Sequence, residues 1–391
     1  MNVLLITPSL PSEFNRIRSL NILKALSRRH QIFLVSLSPV KNPDLESIGK
    51  YCQEIKIVYK PRYRSWLDSL IGLVGREPLE ISYVQSHQLK RLMSDMIQKN
   101  RIDLIYVKRL RSAQFVPANT KIPVILDTTD AMSLFYERAT KNVPWFKKPL
   151  YWEEYFKYNR YEYKIAQEIK HWVVCSKPDL DHLKSKLPTD VRLYYVPNVV
   201  DINYYQLSTV APEPHSLIFS GLMDKFVNIE AAKFLVTKIW PLILEQYPTA
   251  KLYIVGPNPT TNIKRFAGDN VIVTGQVSDL RECAVKAGVV ACPILTGTGT
   301  RNKILQAWAI GRPVVSTTLG LEGLEAKHAE QILIADRPED FADNIIKLWQ
   351  NENLYNKLVN GGRKLVEEKY SLGALEQHLD QVFKQVVPNY A

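Results

Sequence analysis

Short runs of β-branched and aliphatic residues, each followed by a longer stretch with helical spacing, constrain this chain more than any other feature. In the first half VLLIT, IFLVSL, LIYV, VILD and WVVC predict strands near residues 3–7, 32–37, 104–107, 124–127 and 172–175, with shorter ones near 55–58 and 193–196. In the second half LIFS, LYIV, VIVT, VVAC and VVST predict strands near 217–220, 252–255, 271–274, 289–292 and 314–317, with a last one at 332–334. Strands that alternate with helices lie parallel and are covered on both faces, so the pattern predicts the α/β class. A chain of 391 residues exceeds one ordinary core. The runs divide into two doubly wound units on either side of VDINYYQLSTVAPEPH, which loses periodicity and carries two prolines. The expected boundaries are a first domain over 1–200, a linker over 201–214, a second domain over 215–370 and a closing segment over 371–391. Ligands of open α/β sheets collect beyond the carboxyl ends of the strands, so two such sheets in tandem predict an interdomain cleft as the active site.

Within the second unit, GTGTRNKILQAWAIGRPVVST, residues 297 to 317, has the layout of a diphosphate cradle. Gly297 and Gly299 permit positive φ and close backbone approach, so that the amides of Gly297, Thr298, Gly299 and Thr300 can converge on one anion at a helix start. Arg301 and Lys303 add full charges there. Asn302 and Gln306 sit at i, i+4 spacing and draw a polar line along an otherwise apolar helix. Gly311 fits the C-terminal cap and Pro313 precedes the next strand. A purely structural βαβ turn with its cations in water is the alternative reading of the same residues.

This segment resembles the signature of the family-four retaining glycosyltransferases with the GT-B fold, in particular the branch associated with bacterial exopolysaccharide assembly. The resemblance extends through FSGLMD, LYIVG and VTGQVSD over most of residues 193 to 370, and more loosely through IRSLNILKALSRRH and LDTTD. It implies two Rossmann-like domains facing a cleft, a nucleotide-diphosphate sugar as co-substrate, and donor contacts from Gly221, Asp224, Gly256, Gly275 and Val277 beside the cradle. It implies retention of anomeric configuration and a last helix that returns to the first domain. The family's two glutamate positions are taken here by Thr298 and Gln306, and the Arg and Lys usual after the first strand of the second domain by Leu222 and Asn228, with Lys225 nearby. An amide offers one acceptor oxygen where a carboxylate accepts from two ribose hydroxyls. The first βα loop, PSLPSEFNRIRS, lacks the family's paired glycines and leaves Arg16 and Arg18 as its cations, facing either a phosphate or the helix surface.

Departure of a diphosphate requires neutralisation by a metal or by fixed cations and amide dipoles. Asp179-Leu180-Asp181 has the spacing of a metal-binding pair, yet it follows Lys177-Pro178 at a helix start, where acidic residues cap. No cofactor and no metal are therefore expected, with Arg301 and Lys303 carrying the leaving charge. Asp127 and Asp130 close the strand VILDTTD; a carboxylate at either place is a candidate to orient an acceptor hydroxyl or the donor sugar, and an Asx turn is the competing role. Arg160 and Glu162 are read as an interdomain ion pair, and Tyr151, Tyr155, Tyr158 and Tyr161, at spacings of 3 to 4, as packing for their helix, with a sugar platform as the alternative.

The net charge of +12 is uneven: residues 1–200 hold 32 Lys and Arg against 19 Asp and Glu, and the remainder 19 against 20. An anionic surface is expected to face the first half. Of lipid headgroups and nucleic acid, nucleic acid is the weaker choice and is not expected as a partner, because no helix-turn-helix, zinc or aromatic RNA-reading signature accompanies the charge. Lys56, Lys60, Arg62 and Arg64 lead into WLDSLIGLVG, which fits either peripheral contact with anionic lipid or a core helix behind a solvated loop. The start MNVLLITPSLP is read as a strand, not as a leader or membrane span. Cys52, Cys175, Cys283 and Cys292 lack C-x-x-C spacing, so a reducing cytoplasm is expected, with the chain peripheral on the inner face of the membrane. The expected function is transfer of a hexosyl or N-acetylhexosaminyl group to a lipid-linked or glycan acceptor. A sugar-nucleotide 2-epimerase of the same fold and a non-catalytic sugar-nucleotide binder are the alternatives.

Overall fold

The structure, a computed structural model, describes residues 1–12, 16–297, 299–388 and 390. The chain forms two units, Met1–Asn198 with Leu375–Ala391, and Val199–Ala374. Residues 201–214, read from the sequence as a linker, fall within the second unit, where Tyr204 and Tyr205 pack on its helices through Arg281 and Gln306.

The first unit is built on β1 (Asn2–Thr7), β2 (Gln31–Ser38), β3 (Glu54–Tyr59), β4 (Leu104–Lys108), β5 (Val124–Thr129), β6 (His171–Val174) and β7 (Arg192–Tyr195). They pair in parallel in the order β3-β2-β1-β4-β5-β6-β7. The second unit repeats the plan with β8 (Ser216–Ser220), β9 (Lys251–Val255), β10 (Val271–Gly275), β11 (Val289–Cys292), β12 (Val314–Ser316) and β13 (Leu333–Ile334). Its order is β10-β9-β8-β11-β12-β13, again parallel. Every strand read from the sequence is present.

Both orders are the doubly wound 3-2-1-4-5-6 arrangement, in which the chain reverses its direction of growth between the first and fourth strands. That reversal lies between β1 and β4 in one unit and between β8 and β11 in the other. The strands read as continuous apolar runs because each is covered on both faces: Leu4, Leu5, Ile105, Tyr106, Leu217, Ile218, Val289 and Ala291 are all at most 1% exposed. Trp172 anchors the first core, and Trp308, Phe219 and Phe341 the second. Among the described residues, no helix is long and apolar enough to cross a membrane.

Candidate functional site

The helix Asn302–Ala309 begins at the point of reversal in the second sheet, just beyond the carboxyl ends of β8 and β11. Its apolar face, with Ile304, Leu305, Trp308 and Ala309 buried, fixes it against the core, and this fixes where its first turn points. Gly297 and Gly299 take φ of +102° and +82°, the left-handed conformation that the loop was expected to need. Thr298 lies outside the described residues. Arg301 is the N-cap and makes no capping bond with its side chain, while its carbonyl accepts from Ile304 N at 3.0 Å.

Two cations meet there. Arg301 Nη2 donates to the carbonyl of Thr296 at 3.4 Å. Lys303 Nζ lies 4.1 Å from the centre of the Phe219 ring at the end of β8 and donates to Asn228 Oδ1 at 3.3 Å. Burial pushes the Lys303 ammonium down to about 8, with Arg301 adding to the effect and Cys292 opposing it. Among the described residues no carboxylate reaches Lys303 within ion-pair distance. A half-buried ammonium over an aromatic ring, next to a guanidinium, lowers its free energy by gaining an anion.

The surrounding loops are shaped by backbone contact. A Cβ on Gly256 would sit 1.8 Å from the carbonyl oxygen of Gly221, so the turn after β9 packs directly on the turn after β8. A Cβ on Gly221 would lie 2.7 Å from Asn228 Nδ2, whose amide is fixed by donating to Leu222 O at 2.9 Å. Gly275, with φ of +71°, has open space around its Cα and is required for its conformation alone. Val277 packs half-buried against the core, while Asp224 is exposed and lies 3.9 Å from Lys225. Lys225 is thus turned to solvent and Asn228, not a cation, occupies the place beside Lys303. Asn302 is half-buried and Thr300 buried at the start of the helix.

Gln306 has a partner that the sequence did not reveal: its Nε2 donates to Tyr205 Oη at 2.9 Å. Thr296 Oγ1 likewise donates to Glu230 Oε2 at 2.8 Å. The only sequence signal for Tyr205 was a tyrosine pair inside an aperiodic stretch, and for Glu230 its position in the helix that follows β8.

In the first unit the carboxyl ends of β1, β4 and β5 carry a buried charged cluster. Asp127 is fully buried and lies 2.9 Å from Lys108 Nζ and 3.1 Å from Arg18 Nη2, and it accepts from Tyr106 Oη at 2.9 Å. Burial alone would raise its pKa, but Arg18 and Lys108 hold it well below the usual carboxylate range. Arg18 also donates to Pro197 O and to Asn198 Oδ1. It is therefore turned into the core and braces β5 rather than presenting its charge at the surface. Thr129 N donates to Asp127 Oδ1 at 3.0 Å, so Asp127 closes an Asx turn.

Asp130 differs. It is half-buried, 3.4 Å from Arg109 Nη1, and accepts from Cys175 Sγ at 3.7 Å. Thr129 and Arg109, which flank this corner, both take positive φ, +71° and +69°, a costly conformation for a β-branched residue. Arg16 donates to Ser9 Oγ at 2.7 Å, and burial together with Arg111 and Arg109 lowers its pKa to about 10.

The ligand atoms of Asp130, Cys175 and Asp179 lie within 4.8 Å of one another, a spacing that could hold a metal ion. Asp179, however, is fully buried as part of a helix cap: Ser176 Oγ accepts from Asp179 N, and Asp179 accepts from Ser176 Oγ and from Ala131 N. Asp181, two residues on, is exposed. Arg160 and Glu162 do not pair. Two residues apart on a helix they face different directions; Arg160 donates to Arg76 O, and Glu162 is buried against Ser133 N, its acid pushed up to about 7 by burial. Tyr158 and Tyr161 are buried, with Tyr158 stacked on Tyr136 at 5.2 Å.

Residues 214–351 match the family model described as Glycosyl transferases group 1. An uncharacterized 44.6 kDa protein in the cps region of Klebsiella pneumoniae is 26% identical over 165 residues, 40% of this chain and 42% of that protein. The chain matches less than half the length of its curated relatives. Among solved structures, sucrose-phosphate synthase of Thermosynechococcus elongatus has a TM-score of 0.72 at 15% identity over 98% of both chains. Anabaena HepE in complex with UDP-glucose has a TM-score of 0.67 at 11% identity over 99% of this chain and 100% of that one. The fold is α/β, two Rossmann-like parallel-sheet domains matching GT-B glycosyltransferase structures.

Proposed function

We propose that this chain is a glycosyltransferase that moves a hexosyl or N-acetylhexosaminyl group from a nucleoside diphosphate sugar to a lipid-linked or glycan acceptor. It does so without a metal, with retention at the anomeric carbon, in the cytoplasm and in peripheral contact with an anionic membrane through its first unit. The observation that carries the reading is the placement of Arg301 and Lys303 on a positive-φ glycine loop where the second sheet reverses. The family match over residues 214–351 supports it. Fixed cations and amide dipoles neutralise the diphosphate as the glycosidic bond lengthens. Asp130, held by Arg109, orients the acceptor hydroxyl or the donor sugar.

A panel of nucleotide sugars followed by thermal shift tests this, starting with UDP-glucose, which HepE holds; a donor that binds the folded chain raises its melting temperature. Slow release of nucleoside diphosphate with EDTA present supports the transferase. A changed sugar on an intact diphosphate would establish an epimerase, and binding without turnover a carrier. Gln306→Glu should hold or improve donor affinity, because Tyr205 Oη can reverse its bond and donate to the new carboxylate. A large loss in that variant would show that the amide itself is required.

The Lys303 ammonium gives the reading a pH signature. In the free protein it loses its proton near pH 8, and it must be charged to hold a diphosphate. Affinity for a nucleoside diphosphate should be full below that pH and fall by up to about tenfold per pH unit above it. Calorimetry in two buffers of different ionisation enthalpy should register proton uptake there; affinity that stays flat across this range places the anion elsewhere.

A further inference from the structure

Residues 62 to 74 fold with their polarity reversed. The helix Arg62–Leu73 turns Ser65 and Gly72 inward, and Ser69 Oγ donates to Leu79 O at 3.4 Å. A Cβ on Gly72 would fall 2.5 Å from Ser82 Oγ, so the helix lies tight against its neighbour by its small, polar side. Its apolar side faces water: Trp66 is 64% exposed, Ile71 75% and Val74 96%. Apolar side chains at helical spacing normally cover a core, and a contiguous exposed set marks an interaction surface.

A second exposed stripe lies beside it. The turn Trp145–Lys147 and the helix Lys148–Glu168 expose Trp145 (82%), Phe146 (63%), Trp152 and Phe156, the last two stacked at 5.9 Å. The opposite side of the same helix buries Glu154, Tyr158, Tyr161 and Ile165. The two elements are tied together: Lys157 Nζ donates to Leu73 O at 3.2 Å, Arg160 to Arg76 O at 3.2 Å, and Lys164 pairs with Glu77 at 3.3 Å.

The charge around these faces is one-sided. Asp68 and Glu153 are drawn onto Lys60 and Lys157, each at 2.6 Å. Arg62, Arg64, Lys147 and Lys148 are exposed, and among the described residues no carboxylate lies within ion-pair distance of them. Lys60, also bonded to Tyr83 O and Gln85 O, leaves the basic cluster that the sequence had assigned it to, and Lys56 pairs with Glu54.

We propose that the two stripes form one two-pronged surface that seats its tryptophans and phenylalanines in the interface of an anionic bilayer, with Arg62, Arg64, Lys147 and Lys148 on the headgroups. Exposed aromatics beside unpaired cations match the interfacial zone of a lipid leaflet. The inference rests on the membrane contact proposed above and deepens it by adding the second prong.

The full chain is tested by co-sedimentation with phosphatidylcholine vesicles, with and without about one third phosphatidylglycerol. Trp66→Ser with Ile71→Ser removes one prong, and Trp145→Ser with Phe156→Ser the other. We expect binding only to the anionic vesicles, weakening with salt, and each pair of substitutions to lower the partition coefficient about tenfold or more. The thermal shift given by the donor nucleotide should be unchanged in both variants, which shows that they fold. If the second pair binds as well as the parent, the membrane contact stands and the two-pronged surface falls. If the parent does not bind, both fall. If light scattering finds a dimer that either pair dissociates, the stripes belong to a second copy of the chain and the bilayer assignment is overturned.

Discussion

Replacing Arg301 and Lys303 together by alanine should lower affinity for a nucleoside diphosphate by about 10² to 10⁴-fold and leave the folded chain intact. Each charge-assisted bond to a phosphoryl oxygen contributes about 1.5–3 kcal/mol, and each 1.4 kcal/mol is about tenfold. The fold should tolerate the change because Lys303 is carried at a desolvation cost over Phe219, and the face of the helix that packs on the core is apolar. The purely apolar contacts of the helix, Ile304, Leu305 and Trp308, stay in place. Lys303→Met keeps the bulk on the Phe219 ring and separates charge from packing. Calorimetry of the double variant that returns the parent affinity would remove the anion from this loop.

Much of this corner was legible in the sequence because its determinants are local. Positive φ at Gly297 and Gly299 follows from residue type, and the helix that follows ends just before Gly311, whose φ of +76° its residue type permits. The strands were legible for a related reason: strands covered on both faces read as short unbroken apolar runs. What escaped depends on residues far apart in the chain. Gln306 and Tyr205 meet across 101 positions, and no spacing rule reaches that far.

Periodicity has a second blind spot. It shows that a helix has two unlike faces but not which one is turned inward, and in the helix Arg62–Leu73 the small polar face won through close packing at Gly72. The tyrosines of the helix Lys148–Glu168 were legible as packing at Tyr158 and Tyr161, whereas Trp152 and Phe156, on the far side of the same turns, face solvent. The strand read as LIYV near 104–107 runs on to Lys108, a residue type that ordinarily stays in water. Lys108 is instead 1% exposed, held by Asp127 from the next strand and by Thr129 Oγ1 at 3.1 Å. A buried lysine cannot be read from its own neighbourhood.

That cluster makes Asp127→Ala the most damaging single change expected in the first unit. It leaves Arg18 and Lys108 buried with like charge and no counter-ion, and breaking a buried pair in this way costs about 3–5 kcal/mol. Lys108 has a partial escape, since burial already pushes its ammonium down to about 7, but the Arg18 guanidinium cannot shed its proton. Adding Lys108→Met to Asp127→Ala should therefore recover part of the loss, and adding Arg18→Met more. The sign of the pH dependence follows from the depressed Asp127 acid. Its contribution is present above the ordinary carboxylate value of about 3.9 and is lost progressively as pH falls below it towards the folded value. Urea unfolding of parent and variant should show the gap closing as pH is lowered through that range. A variant that unfolds at the parent midpoint at neutral pH would mean that the cluster contributes nothing to holding β4, β5 and the helix Ile17–Ser27 together.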